Sequence, residues 1–505
     1  MSILLIHPPV VKPCEPPPGI AMLAGSLRTH AVPFAVLDAN IEGLLFLANQ
    51  EPAMSDTWTR RAFRNRYRNL EAISHSAVYR NFDRYKRALS DINRLIHVKG
   101  RELNIHVSLS DYRDSHLSPL RSGDCIKTFE YPEMNLFYPY FAKRITELLE
   151  DIHPDWIGFS LNFLSQALTT FAMIGFIKKV DPTAKIVLGG GLATSWVRNP
   201  SWRNPFKGIA DEIIDGPGEN RLLSLLGKDP SAHHITPCYD DFALPSYFSP
   251  GFILPYSASR GCYWRQCSFC PERAEGNAYI PLHPCQVTKD LQYLGHNTAP
   301  ILIHMLDNAI SPRLLKKLAQ NSPGVPWYGF ARVSELLTDL DFCISLKRAG
   351  CRMLKLGIES GSQRVLDEMG KGINLEAASK VLYNLHKVGI GAYVYLLFGT
   401  PFERSEDARK TLDFAVKHSG QIDYLNLAVF NLPAYGPDAE RYDVENFYEG
   451  DLTLYYRFRH PHGWHRHHVR KFLEKEFKRH PAIAHIIRRD PPFFSSNHAP
   501  LFTHR

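Results

Sequence analysis

Ser259-Arg-Gly-Cys-Tyr-Trp-Arg-Gln-Cys-Ser-Phe-Cys-Pro271 crowds three thiols, Cys262, Cys267 and Cys270, into nine positions. Four residues separate the first two cysteines and two separate the last pair. The stretch follows a strand-like run at 252–258. In a barrel of parallel strands, the loop at a strand's C-terminal end is where active sites are built. Nine cysteines in 505 residues is a modest, odd number, and crowding three of them suits a metal site better than a disulfide framework. Three thiolates can occupy three irons of a cubane cluster and leave the fourth iron open, whereas a structural zinc ion wants four protein ligands. On counting alone, zinc completed by Cys285 or His283 stays open.

Downstream of this loop, strand-like runs at 301–306, 327–333, 353–358, 393–398 and 424–430 alternate with helical segments. The pattern predicts a partial (β/α)6 barrel over 250–432, two units short of a complete eight. Upstream, runs at 3–6, 34–38, 156–160, 185–189 and near Ile213 alternate with helical stretches at 19–30, 140–150 and 167–180. These predict a doubly wound, Rossmann-like α/β domain over 1–230. A long interruption at 41–138 places Phe82, Tyr85, Leu89, Ile92 and Ile96 at steps of three and four, the stripe of an amphipathic helix. It is expected to be a helical insertion packed on the domain. Residues 433–505 are rich in histidine, arginine and aromatic residues, with His460, His462, His465, His467 and His468 close together before a charged stretch at 469–480. A helical C-terminal appendage with an exposed histidine surface is expected.

A chain of this length, 44% hydrophobic, has enough apolar residues for two or three full cores. The net charge of +8 comes partly from basic stretches at 60–68 and 466–479. Solvated basic helices are the expected reading, with RNA as the partner such charge would otherwise favour. Pro8 and Pro9 interrupt the apolar N-terminus, so neither a signal peptide nor a membrane segment of about 20 apolar residues is expected. The expected setting is a reducing cytoplasm, without membrane association.

The cysteine stretch closely resembles the radical S-adenosylmethionine superfamily, and in particular its cobalamin-binding branch. The usual signature of the superfamily is CxxxCxxC, and the spacing here is one residue longer. Several further stretches occur in the family's order: Leu306-Asp307-Asn308, Ala331-Arg332-Val333, Gly357-Ile358-Glu359-Ser360, Met369-Gly370-Lys371-Gly372 and Leu397-Phe398-Gly399-Thr400-Pro401. The resemblance implies a four-iron, four-sulfur cluster on Cys262, Cys267 and Cys270. It implies that S-adenosylmethionine binds near Phe269, Asp307, Arg332, Glu359 and Ser360, and that one electron from the cluster cleaves it to a 5'-deoxyadenosyl radical. Arg332 and Glu359 are candidates for its polar groups, with a structural ion pair as the alternative.

The N-terminal domain resembles the cobalamin-binding domains that precede such barrels. Pro18 and Gly19 open its first helix, Ser160, Leu161 and Asn162 follow one strand, and Gly189, Gly190 and Gly191 follow the next. Gly216 and Glu219 lie beyond the last strand. Strand-end glycines let backbone approach a bulky ligand, and the resemblance implies that this ligand is cobalamin. The DxHxxG motif that supplies an axial histidine in many such domains is missing after the first strand, where the loop offers His7, prolines and Cys14. Asp151-Ile-His153 and Asp114-Ser-His116 begin that motif without its glycine. A Rossmann-like fold that binds nothing is the alternative.

The expected activity is methyl transfer to an unactivated carbon of a small molecule, or its radical rearrangement, with a flavodoxin or ferredoxin as reductant. An RNA-modifying methylthiotransferase would need a second cysteine triplet near the N-terminus, and only Cys14 and Cys125 stand there. Nucleic acid is therefore not the expected partner. A zinc-stabilised, non-enzymatic binding protein is the remaining alternative.

Overall fold

In Ile3–His7 (β1) four apolar residues precede a histidine, and all five residues are buried. A strand of that kind is stable only where both faces are covered, which is the situation of a parallel sheet wrapped by helices. In the computed structural model, β1 pairs in parallel with Phe34–Asp38 (β2) on one side and Trp156–Ser160 (β3) on the other. Lys185–Gly189 (β4) and Glu212–Ile213 (β5) complete a sheet of order β2-β1-β3-β4-β5. The chain reverses its direction of travel across the sheet between β1 and β3, which creates the crevice where ligands of open α/β sheets collect. Helix Leu164–Val180 is buried almost around its first three turns, because it lies between this sheet and the insertion.

The structure describes residues 1–52, 56–230, 234–434, 436, 439–446 and 450–503. They divide into two units, Met1–Phe252 with Tyr448–Leu454, and Ile253–Phe447 with Tyr455–Arg505.

The insertion is built on helix Phe82–Arg101, which the Asn81 side chain caps by accepting from the Arg84 N–H. Tyr85, Leu89, Ile92 and Ile96 are fully buried, and each such side chain contributes roughly 1.5–3 kcal/mol. Shorter helices, Thr57–Arg64 and Arg66–Ile73, pack around it. The departure from an all-helical insertion is a hairpin of Ile105–Val107 and Tyr112–Asp114. Strands of three residues are too short for their alternation to stand out in a sequence.

The second unit holds six parallel strands: β6 (Ile253–Tyr256), β7 (Leu302–Met305), β8 (Trp327–Ala331), β9 (Cys351–Glu359), β10 (Gly391–Phe398) and β11 (Tyr424–Val429). Each pairs with its sequence neighbours, and β6 and β11 form the two edges of the sheet. At the N-terminal ends of the strands, Ile253, Leu302, Tyr328, Met353, Tyr393 and Tyr424 gather into one core with Ala499, and Leu501 packs against it. The Tyr393 hydroxyl donates to Asp490 at 2.8 Å. Ala499 and Leu501 thus close the bottom of this sheet, which leaves the C-terminal ends of the strands for chemistry.

Among the described residues beyond 433, helical segments run from Arg466 to Phe502, separated by short turns. Ahead of that, Leu432–Pro433, Val444–Asn446 and Tyr455–Phe458 form a small antiparallel sheet, as aromatic-rich strands favour. The charged stretch at 469–480 is not one continuous α-helix: Arg466–Phe472 passes into a π-helical turn at Leu473–Phe477.

Candidate active site

Cys262, Cys267 and Cys270 lie on the loop after β6, all three half-buried, and all nine cysteines of the chain are free thiols. The loop is fastened at several points. Asp307, just past β7, accepts from the Ala258 N–H at 3.1 Å and from the Ser259 hydroxyl, so it fixes the start of the loop. Its carboxyl is 2% exposed, and burial raises its pKa while these hydrogen bonds oppose the shift. Further along, Ser268 N–H donates to the Met369 carbonyl at 3.0 Å and Trp264 Nε1 donates to the Gly370 carbonyl at 2.9 Å. Gly372 has φ +64°, and a Cβ there would fall 2.0 Å from the Trp264 ring. Only glycine permits this approach, so the 369–372 turn and the cysteine loop are moulded to each other.

Charge gathers at the same place. The Arg332 guanidinium, beyond β8, lies 4.1 Å from the centre of the Trp264 ring. Its Nη1 is 3.9 Å from the Cys267 sulfur, and its Nη2 donates to the Lys371 carbonyl. Lys371 Nζ bonds Glu359 Oε1 at 2.8 Å in a nearly buried pair and stands 5.5 Å from the centre of the Phe269 ring. Glu359 ends β9 in the left-handed region, φ +69°. That conformation is costly for a residue with a side chain and recurs at functional sites. Burial is the largest influence on the Cys267 thiol and raises its pKa, while Lys371 and Arg332 pull it down. Burial also pushes Cys270 up to about 11, against the N–H groups of Arg273 and Glu272.

Among the described residues, no three His, Cys, Asp or Glu side chains are gathered closely enough to hold a single metal ion. The thiolates of a cubane need no such convergence, since each binds a different iron at a different corner. Three thiols on one loop, with two cations beside Cys267, fit a group whose sulfurs carry negative charge. His283, a possible fourth zinc ligand, is committed elsewhere: its Nδ1 accepts from the Cys285 N–H and its Nε2 meets Arg313 at 3.0 Å.

The structure therefore brings Phe269, Arg332 and Glu359 together around the cysteines, and sets Asp307 behind them. Ser360 is fully buried and its hydroxyl meets that of Thr411 at 3.2 Å, so it faces packing on helix Ser405–Lys417. Trp264 and Lys371 are the two members of the site that sequence reasoning did not assign. A lysine between two glycines in a stretch already quoted for its resemblance was the available signal.

In the first unit, the strand-end loops lie at one edge of the sheet. Asn162 Nδ2 donates to the Ser160 hydroxyl at 3.0 Å and its Oδ1 accepts from the Gly191 N–H at 3.0 Å. Leu161 is fully buried, and its N–H donates to the Gly189 carbonyl at 2.7 Å. Gly190 has φ +107°, and a Cβ there would lie 2.4 Å from the Leu161 carbonyl oxygen. Pro18 and Gly19 begin helix Pro18–Thr29, with Gly19 facing Ser160. Gly216 N–H donates to the Thr194 hydroxyl at 3.0 Å, and Glu219 begins the short helix Glu219–Leu225. His7 ends β1 as a buried ring whose pKa is lowered by desolvation. The donors on this ledge are backbone amides, a hydroxyl and a carboxamide, a set that fits a bulky ligand rimmed with amides.

Residues 256–415 match the Radical SAM superfamily. They form a radical SAM domain. Such a domain is catalytic, so the chain is an enzyme. An uncharacterised methyltransferase of Pyrococcus horikoshii is 23% identical over 324 residues, covering 56% of this chain and 68% of that protein. The anaerobic magnesium-protoporphyrin IX monomethyl ester cyclase of Rubrivivax gelatinosus is 23% identical over 296 residues, 55% of this chain and 52% of its own length. Among solved structures, the radical S-adenosylmethionine methyltransferase TsrM of Kitasatospora setae, with cobalamin and a four-iron, four-sulfur cluster bound, superposes with a TM-score of 0.51. It is 16% identical, over 86% of this chain and 76% of its own. The cobalamin-dependent enzyme OxsB matches with the same TM-score over 82% of this chain and 51% of that one. At these identities the likeness concerns the fold, in which an α/β unit precedes the radical SAM domain. Among the described residues, no helix is long and apolar enough to cross a membrane.

Proposed function

We propose that this chain is a cobalamin-dependent radical S-adenosylmethionine enzyme that transfers a methyl group to an unactivated carbon of a small molecule. The observation that carries the reading is the cysteine loop at the C-terminal end of β6, fastened to the 369–372 turn and set beside Arg332, Lys371 and Glu359.

When bound, the cluster with S-adenosylmethionine supplies a carbon-centred radical able to abstract hydrogen, and methylcobalamin supplies the methyl group. The protein binds and orients these groups and keeps water from the radical. Cys262, Cys267 and Cys270 would hold the cluster by three thiolates, and the cluster would supply the electron that cleaves S-adenosylmethionine. Arg332 and Lys371 place positive charge beside Cys267 and offset the negative charge of the thiolates. Glu359, held by Lys371, presents a carboxylate to the cationic parts of the cosubstrate. In the first unit, Ser160, Asn162 and the turn Gly189, Gly190 and Gly191 offer the ledge for cobalamin, joined by Leu161, Pro18, Gly19, Gly216 and Glu219. A flavodoxin or ferredoxin in the cytoplasm supplies the electron.

The relation to a cyclase favours a second reading, in which the radical rearranges or closes a ring in the substrate without methyl transfer. One preparation tests both. Purified without oxygen and reconstituted with iron and sulfide, the protein is expected to hold about four irons, retain hydroxocobalamin, and release 5'-deoxyadenosine under dithionite. Replacing the three cysteines by alanine is expected to abolish iron binding and deoxyadenosine release. Iron without retained cobalamin turns the reading to rearrangement, and zinc in place of iron overturns both.

A further inference from the structure

Four residues, Tyr263-Trp264-Arg265-Gln266, separate Cys262 from Cys267, one more than in the usual signature of the superfamily. The structure gives this longer spacer a definite shape. Arg265 is exposed and turns the chain in the left-handed region, φ +53°, a conformation that is costly for a residue with a side chain. The Gln266 carbonyl accepts from Arg273 Nη1 at 2.8 Å. Trp264 turns inward instead. Its Nε1 donates to the Gly370 carbonyl at 2.9 Å, and its ring occupies the space that a Cβ on Gly372 would need. The indole is thus clamped between the cysteine loop and the 369–372 turn.

The clamped ring carries Arg332 on its face, with the guanidinium carbon 4.1 Å from the ring centre. Arg332 is buried, and among the described residues no carboxylate pairs with it. Its Nη2 donates to the Lys371 carbonyl, the Tyr263 hydroxyl is a hydrogen-bonding neighbour, and Nη1 directs its N–H at the Cys267 sulfur, 3.9 Å away. A buried cation needs negative charge beside it, and the Cys267 sulfur supplies that charge when it ligates iron as a thiolate. Hydrogen bonds alone let a guanidinium swing about them, whereas an aromatic face attracts the whole cation and holds its plane. The ring therefore fixes where the Arg332 N–H points.

We propose that Trp264 is a positioning residue that holds the Arg332 N–H on the Cys267 sulfur, and that this contact raises the reduction potential of the cluster. The inference rests on the radical S-adenosylmethionine reading of the cysteine loop and assigns the control of its redox step. Reduction takes one electron from an external reductant and increases the negative charge that Cys267 shares. A fixed cation that also hydrogen-bonds a ligand sulfur stabilises the reduced state more than the oxidised one.

Redox titration of the reconstituted full chain with titanium(III) citrate, followed by electron paramagnetic resonance, tests it. Trp264→Leu keeps apolar bulk without a ring face. It is expected to lower the ratio of reduced to oxidised cluster at a fixed potential about tenfold, a fall of about 59 mV for a one-electron couple. Trp264→Phe keeps the face and is expected to stay within about threefold of the wild type. Arg332→Gln is expected to shift the potential at least as far as Trp264→Leu, and combining the two is expected to add nothing, because both remove one contact. A fluorinated tryptophan introduced at position 264 alone keeps the shape and the N–H and weakens only the ring face. It is expected to lower the potential too, and it decides the matter if the leucine variant fails to hold iron. Full iron with an unmoved potential in the leucine or fluorinated protein, or a leucine shift that persists beside Arg332→Gln, overturns the proposal. Wild-type protein that takes up no iron defeats the reading of the cysteine loop, whereas bound iron with unmoved potentials defeats the role of Trp264 alone.

Discussion

The loop after β6 and the loops after β3 and β4 occupy equivalent places, at the C-terminal ends of parallel strands, yet they are built of opposite materials. The first concentrates thiols, Arg332, Lys371 and Glu359 in a half-buried knot. The second consists of glycines, a serine and an asparagine whose polar atoms satisfy one another. A parallel sheet supplies only the location, and the loop sequence decides whether that location holds charge or backbone. The charged knot suits a group that reacts, and the amide ledge suits one that is gripped.

Substitutions can break or sharpen this contrast. The largest effect is expected from Cys267→Ala: iron binding and 5'-deoxyadenosine release fall to background, while hydroxocobalamin retention, read by visible absorbance, stays with the first unit. Loss of both together would mean that the two regions do not act separately. Next, Lys371→Met leaves Glu359 buried without its partner and is expected to cost about 3–5 kcal/mol in denaturant unfolding. A cost below 1 kcal/mol would show that the pair is more solvated than its burial implies.

Glu403 gives a pH-dependent test in a third strand-end loop. Burial raises its folded pKa to about 8, above the ordinary 4.5, so between these values the folded chain keeps a proton that the unfolded chain has lost. Its contribution to stability is fully present below about pH 4.5 and is lost as the pH rises through about 8. Glu403→Gln removes this dependence. Relative to the variant, the wild type is expected to lose about 1.4 kcal/mol per pH unit across that window, measured by unfolding at several pH values. A constant difference would mean that the carboxyl is ionised in the folded protein.

Gly190→Ala places a Cβ 2.4 Å from the Leu161 carbonyl at φ +107° and is expected to cost about 1–3 kcal/mol, with weakened hydroxocobalamin binding. Ser160→Ala removes one hydrogen bond of the ledge and is expected to cost about 1 kcal/mol. If neither change affects hydroxocobalamin titrations, the ledge does not grip that ligand.

The positions of the strands in both sheets were legible because buried parallel strands are short apolar runs, and 3–6, 156–160 or 393–398 can hardly be read otherwise. The cysteine triplet was legible because its spacing is local, and the stripe from Tyr85 to Ile96 because helical periodicity is local too. Only the tertiary structure decided what meets that loop. Trp264 beneath Arg332, Lys371 on Glu359 and the turn at Gly372 join residues about 12 to 110 positions apart, and no periodicity encodes such pairings. The same holds for Glu403 and Trp464, and for Ala499 under the six strands. The chain itself determines which residues prefer helix, strand or metal, through local sterics and chemistry. Which charges become partners depends on the packing of distant segments, because burial sets the strength of an ion pair and exists only in the folded molecule.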